Sequence, residues 1–185
     1  MKNYFVLFIT IALLAGTSCQ EQIDTEKEKE AIVAVIEGIT KAHAAGDWDA
    51  WLGLWLNETY IFISYADANY HWMEKSWESL NKMISEMASE ENTEEPQPKL
   101  TLEPHDYFIR VFKECAWASY KIKWTSVTDS SDVKEEWETF ENYAFEKRDG
   151  VWKVATVSAV NITSFEKQGE EGEMMEDEAE KGDAE

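Results

Sequence analysis

Histidine and glutamate side chains are the groups in this sequence that could move protons, and their placement is sparse. There are only three histidines, His43, His71 and His105. His43 falls on the apolar stripe of a helical segment, where it could reach a cavity or sit satisfied in the core or at its rim. His71 lies just after a predicted strand, beside Trp72, and His105 follows Pro104 at a strand break. The three show no metal-ligand spacing, so no metal site and no cofactor are expected. Glu138 and Asn142 share one face of a predicted strand, and Thr156 and Ser158 share one face of the next. If those faces point inward, Glu138 is a buried carboxylate with a raised pKa and a candidate base. If they point outward it is one more surface acid, and a slip of one residue exchanges the two outcomes. His43, His71 and Glu138 are therefore the candidate catalytic groups. Of the two cysteines, Cys115 sits in a predicted turn, Lys113-Glu114-Cys115, with no histidine beside it, and reads as a buried or half-buried spectator thiol.

The second chemical feature is aromatic. Nine tryptophans are many for 185 residues. Three of them, Trp48, Trp51 and Trp55, stand at spacings of three and four within AAGDWDAWLGLW, Ala44 to Trp55. Together with Leu52 and Leu56 they make one face of a short helix. Such a face either fills a core or lines a cavity. A buried indole N–H needs a partner, so several indoles meeting in one hollow could also bind a ring.

The elements that must position these groups follow from pattern. Thr25-Glu26-Lys27-Glu28 matches a capping box. Ile32, Val35, Ile36, Ile39 and His43 then fall on one helical face, with Lys29, Glu30, Glu37 and Lys41 opposite, to an end near Ala45. Gly46 suits the left-handed end of that helix, and Asp47 can cap the next. Thr59–Ser64 reads as a strand and Tyr65–His71 as a connection. Trp72–Ala88 reads as a helix on the stripe Met73, Trp77, Leu80, Ile84 and Met87. Ser89–Lys99, acidic and with two prolines, reads as a loop. Strands are expected over Leu100–Phe112 with a break at Pro104, then Ala116–Thr128, Lys134–Lys147 and Val151–Ile162, with Asp149-Gly150 as a hairpin turn. Long strands joined by tight turns predict an antiparallel meander covered by the preceding helices, an α+β architecture.

The ends are separate objects. Residues 1–18 combine Lys2, an apolar run too short to span a bilayer comfortably, and small residues before Cys19, which reads as a signal peptide. The placement of Cys19 resembles a bacterial lipobox, although Gly16 stands where leucine is usual. Lipidation at Cys19 would anchor the chain to a membrane, periplasmic or at the cell surface, and simple cleavage would release it as a soluble secreted protein. Residues 19–25 are a tether, 26–165 one domain, and 166–185 an acidic tail that cannot bury enough to order itself. The net charge of −21 makes nucleic acid an improbable partner.

The run EKEAIVAVIEGITKAHAAGDWDAWLGLWLNETYIFIS resembles the opening of nuclear transport factor 2-like, or SnoaL-like, domains. KSWESLNKMI resembles their third helix, AWASYKIKWTSVT their long central strand, and FEKRDGVWKVATVSA their closing hairpin. The resemblance spans about residues 26 to 165. It implies a strongly curved antiparallel sheet wrapped around N-terminal helices as a cone, an apolar cavity opening at one end, and homodimers through the outer sheet face. On it, Trp51, Trp55, Tyr60, Phe62, Trp72, Trp124, Asn142, Thr156 and Ser158 are the candidate ligand contacts. Relatives with catalytic sets differ from this chain. Ile63 falls near the position of the steroid isomerase-like aspartate. Only Arg110 and Arg148 are available for an Asp-Arg-Asp set, and Thr156 and Ser158 stand at a frequent His-x-His. Three functions are open: binding of a small apolar or aromatic molecule, acid–base catalysis of the lyase, isomerase or cyclase kind, and a dimerisation or interaction domain with a vestigial cavity.

Overall fold

The structure, a computed structural model, describes residues 23–90, 98–128 and 133–164. The leader, Cys19 and most of the tether, the core of the acidic loop and the tail from 165 onward lie outside the described residues.

Helix α1, Thr25–Ala44, is capped one residue before the expected Thr25. Asp24 accepts from the Lys27 amide at 3.2 Å. Glu28, expected to close a capping box, is used elsewhere. It accepts from Lys147 Nζ and Trp152 Nε1, both at 2.6 Å, and so pins the helix start to the last hairpin. Ile32, Ile36 and Ile39 are buried along the predicted stripe, and His43 ends it half-buried. Gly46 takes φ 64°, in the region where a Cβ would be strained, and Asp47 caps α2, Trp48–Leu52, by accepting from the Ala50 amide at 3.0 Å. The chain then runs along the final strand, with Leu56 N–H and Val154 N–H each donating to a carbonyl opposite.

Six strands form one sheet in the order β2-β1-β6-β5-β4-β3. They are β1 Phe62–Ala66, β2 His71–Lys75, β3 Lys99–Val111, β4 Cys115–Thr128, β5 Val133–Arg148 and β6 Val151–Asn161. β3 to β6 form the expected antiparallel meander, while β1 lies parallel to β6, so the sheet is mixed. The curved sheet wraps the helices as an α+β cone. Pro104 is tolerated because β3 is an edge strand, and the ladder shifts register between His105 and Phe108, where Asp106 takes φ 56°. The expected helix from Trp72 is a strand followed by a helix. His71–Lys75 pairs with β1, Ser76 turns at φ 91°, and α3 runs Trp77–Glu90. Met73, placed on a helical stripe by its spacing, is consequently exposed. Cys115 opens β4 and is exposed rather than buried.

Candidate functional site

The inner face of the sheet carries one parity of residues on each long strand. On β4 these are Ala116, Ala118, Tyr120, Ile122 and Trp124. On β5 they are Trp137, Thr139, Glu141, Tyr143 and Phe145. Near the Phe145 end, aromatic rings close-pack: Tyr120 lies 5.3 Å from Tyr143, and Tyr143 lies 5.7 Å from Phe145. Toward the Trp137 end the helices stand off the sheet and leave a cavity of about 290 Å³. This is near the lower end for small-molecule sites. α1 contributes Ile39, Thr40 and His43 to its wall, and α2 contributes Trp51. β1 contributes Ile63 and Tyr65, β2 Trp72, β4 Trp124, and β5 Trp137, Thr139, Glu141 and Tyr143. Trp124 stacks on Trp137 at 5.6 Å and meets the His43 ring edge-on at 5.2 Å.

Glu141 is the one acidic group of this wall, and it is 4% exposed. Thr139 Oγ1 donates to Glu141 Oε1 at 2.9 Å, and Trp124 Nε1 donates to Thr139 Oγ1 at 2.9 Å. The indole can only donate, so the threonine oxygen accepts from it and keeps its own hydroxyl proton for Glu141 Oε1 when the carboxyl is ionised. Burial pushes the carboxyl up to about 7, against the hydroxyls of Thr139, Tyr143 and Tyr120, which favour the charged form. Among the described residues no cation pairs with it. Burial also pushes the Tyr143 and Tyr120 hydroxyls well above their usual range. Among the described residues two more buried donors, Trp51 Nε1 and Trp55 Nε1, have no hydrogen-bond partner, and the Tyr120 hydroxyl makes no well-formed one. A carboxyl that is half-charged near neutrality can give or take a proton at a bound molecule. No group of three His, Cys, Asp or Glu among the described residues could hold a metal ion.

By sequence the chain matches no family model and no curated protein. By structure it is similar to an NTF2-like protein with a cystatin-like fold from Novosphingobium aromaticivorans, with a TM-score of 0.55 and 13% identity over 74% of this chain and 82% of that one. The chain has the nuclear transport factor 2-like fold. The S. rosetta CaMKII hub shares this fold, with TM-score 0.55, 17% identity and coverage of 76% and 98%. So does the hexachlorocyclohexane dehydrochlorinase LinA-type3 of Novosphingobium barchaimii, with TM-score 0.55, 9% identity and coverage of 74% and 87%.

Within this NTF2-like cone the sequence-predicted residues divide by strand parity. His43, Trp51, Trp72 and Trp124 line the cavity. Trp55 packs in the core against Trp51, ring centres 5.0 Å apart, and fills rather than lines. Glu138, Asn142, Thr156 and Ser158 lie on the outer face. Glu138 meets His105 Nε2 at 3.0 Å, Asn142 accepts from Ser119 at 2.5 Å, and Ser158 bonds Ser64 at 3.2 Å. Thr156 sits opposite Phe62 on the same face. His71 is exposed at the start of β2. Tyr60 is exposed too, held by Glu146 at 2.9 Å and Arg148 at 2.8 Å. Glu141 is the residue that the sequence reading passed over. Its signal was available: Trp137, Tyr143 and Phe145 share its parity, and three aromatics mark the buried side better than Glu138 and Asn142 mark a polar pocket.

Proposed function

We propose that this chain is an exported domain, lipid-anchored at Cys19, that holds a small apolar or aromatic molecule inside the cone. The observation that carries the binding reading is the cavity itself. It is about 290 Å³, walled mostly by indoles and aliphatic side chains, and offers one buried carboxyl and an unpartnered indole N–H at Trp51. Unpaired buried polar groups are costly without an occupant to satisfy them. Export rests on the order of Lys2, the apolar run, the small residues and Cys19. A fluorescence titration of the mature protein with small aromatic molecules tests binding. Quenching that weakens in Trp72→Ala supports it, and no response to any ring of fitting size refutes it. Labelling with radioactive palmitate in a bacterial host tests the anchor, and label that persists in Cys19→Ser refutes it.

Glu141 favours a second reading, acid–base catalysis of the lyase, isomerase or cyclase kind. The carboxyl is poised near 7 in an apolar site, and a general base works best when its pKa lies near the working pH. The same fold carries the dehydrochlorinase named above. Exchange of an acidic C–H of a bound carbonyl compound into heavy water, lost in Glu141→Gln, would support catalysis. Binding without exchange would leave the binding reading alone.

A homodimer is the partner we propose for the outer face. Phe108, Trp117 and Phe140 are exposed there, and Phe108 meets Trp117 at 5.6 Å. A row of such rings on one sheet face is a common interface feature.

A further inference from the structure

We propose that the occupant of the cone is an organic cation, an ammonium group carried on an apolar or aromatic body. The inference rests on the binding reading and names its ligand class. Four indoles (Trp51, Trp72, Trp124 and Trp137) and two phenols (Tyr65 and Tyr143) line the same cavity as Glu141. The π-faces of such rings attract a cation, most strongly when water is excluded, and rings around an ammonium are a recurrent means of recognising one. Aromatic walls alone would suit a neutral ring equally well. The carboxyl separates the two cases. Glu141 is buried, fixed by the relay from Trp124 through Thr139, and unpaired with any cation among the described residues. A buried carboxylate without a counter-charge is costly, and this site leaves the place of that counter-charge to the ligand. The net charge of −21 favours cations at the mouth as well.

Phenyltrimethylammonium and tert-butylbenzene test this, because they share shape and differ in charge. A quaternary ammonium does not titrate, so any pH dependence belongs to the protein. The titratable groups that line the cavity or touch the carboxyl are His43 from α1, Tyr65 from β1, Tyr120 from β4, and Tyr143 and Glu141 itself from β5. β2, β3 and β6 contribute Trp72, Leu102, Val157 and Ala159, none of which titrates. Between pH 6 and pH 8 the ionised share of a carboxyl at about 7 rises from about a tenth to about nine-tenths. Binding of phenyltrimethylammonium, followed by tryptophan quenching at fixed ionic strength, is therefore expected to tighten about tenfold over that range. The tert-butylbenzene signal should stay weak or fall. In Glu141→Gln the cation should lose most of its affinity and the pH dependence should vanish, while neutral rings still bind. A tert-butylbenzene affinity equal to or above that of the cation at pH 8 overturns the cation proposal and keeps the cavity. A pH dependence that survives in Glu141→Gln assigns the effect to His43 and overturns the role of Glu141. Failure of both probes to bind overturns the binding reading with it. The pH series on the parent protein stands without the variant, should Glu141→Gln fold poorly.

Discussion

Glu141→Gln should make the protein more stable at alkaline pH than the parent, which is the reverse of what removing a native side chain usually does. The reasoning is thermodynamic linkage. The Glu141 carboxyl rises from 4.5 to about 7 on folding, with burial as the main cause. Below pH 4.5 it is protonated in both states and costs nothing. Between 4.5 and 7 the folded state holds the proton more tightly, so stability falls as pH rises. Above 7 the folded chain carries a buried charge at its full cost, about 3 kcal/mol for a change of this size. Glutamine keeps an acceptor for the Thr139 hydroxyl and never ionises. Urea unfolding of both proteins at fixed ionic strength measures the difference. Relative to the parent, the variant should gain about 2–3 kcal/mol between pH 5 and pH 8.5. Repulsion among the 38 acidic side chains also weakens the fold as pH rises, but it acts nearly equally on both proteins and cancels in the comparison. Parallel stability curves across that range would refute the assignment of Glu141 as a buried, raised carboxyl.

Other perturbations have directions set by the same structure. Glu28 shows the opposite linkage: Lys147 first, then Trp152, hold its carboxyl below the usual range. Glu28→Gln should therefore be less stable than the parent at pH 7, with the deficit disappearing as pH falls through the carboxylate range; a deficit unchanged at low pH would argue against the charge. Glu28→Ala also orphans the buried Trp152 N–H, a loss of about 1–3 kcal/mol in urea unfolding, and no loss would mean that helix and hairpin are fastened otherwise. Gly150→Ala should cost about 1 kcal/mol from backbone strain alone, since the turn sits at φ 79° and a Cβ there meets nothing within 4 Å. An unchanged midpoint would show that the hairpin relaxes. Trp117→Glu with Phe140→Glu should turn a dimer into a monomer in analytical ultracentrifugation, and an unaltered mass would remove the outer face as the interface.

Local chemistry made the first corner legible, and parity decided how far the rest could be read. Gly46, Asp47 and the Ile32-Ile36-Ile39 stripe act within a few residues, through φ, capping and a single buried face. The strand at His71–Lys75 was illegible because its alternation, Trp72 in and Met73 out, lies directly before a true helix and shares its aromatic and methionine content. The parallel pairing of β1 with β6 joins residues nearly a hundred positions apart, and nothing in either segment declares a partner's direction. On β5 Glu138 and Asn142 point one way, and Trp137, Tyr143 and Phe145 point the other. A pairing based on Glu138 and Asn142 took the side that solvent and a partner can reach. The aromatics took the side that the fold must bury.

The three tryptophans after the Gly46–Asp47 corner now separate by depth rather than by kind. Trp48 stays partly buried, edge-on to His43 at 5.2 Å. Trp51, one turn on, is 5% exposed and forms cavity wall, and Trp55 closes the layer against the sheet beside Val154. Had α1 continued straight through residue 46, this face could not have folded back over the sheet, and Glu141 would open to water with an ordinary carboxylate pKa. The break in the helix is therefore what creates the apolar environment, and the apolar environment is what raises Glu141. Trp51→Ala should then do more than widen the site. Letting water reach the carboxyl should return its pKa toward 4.5 and flatten the pH dependence of stability, in addition to the loss of packing. A truncation that lowers stability equally at pH 5 and pH 8.5 would break the link between the corner and the carboxyl.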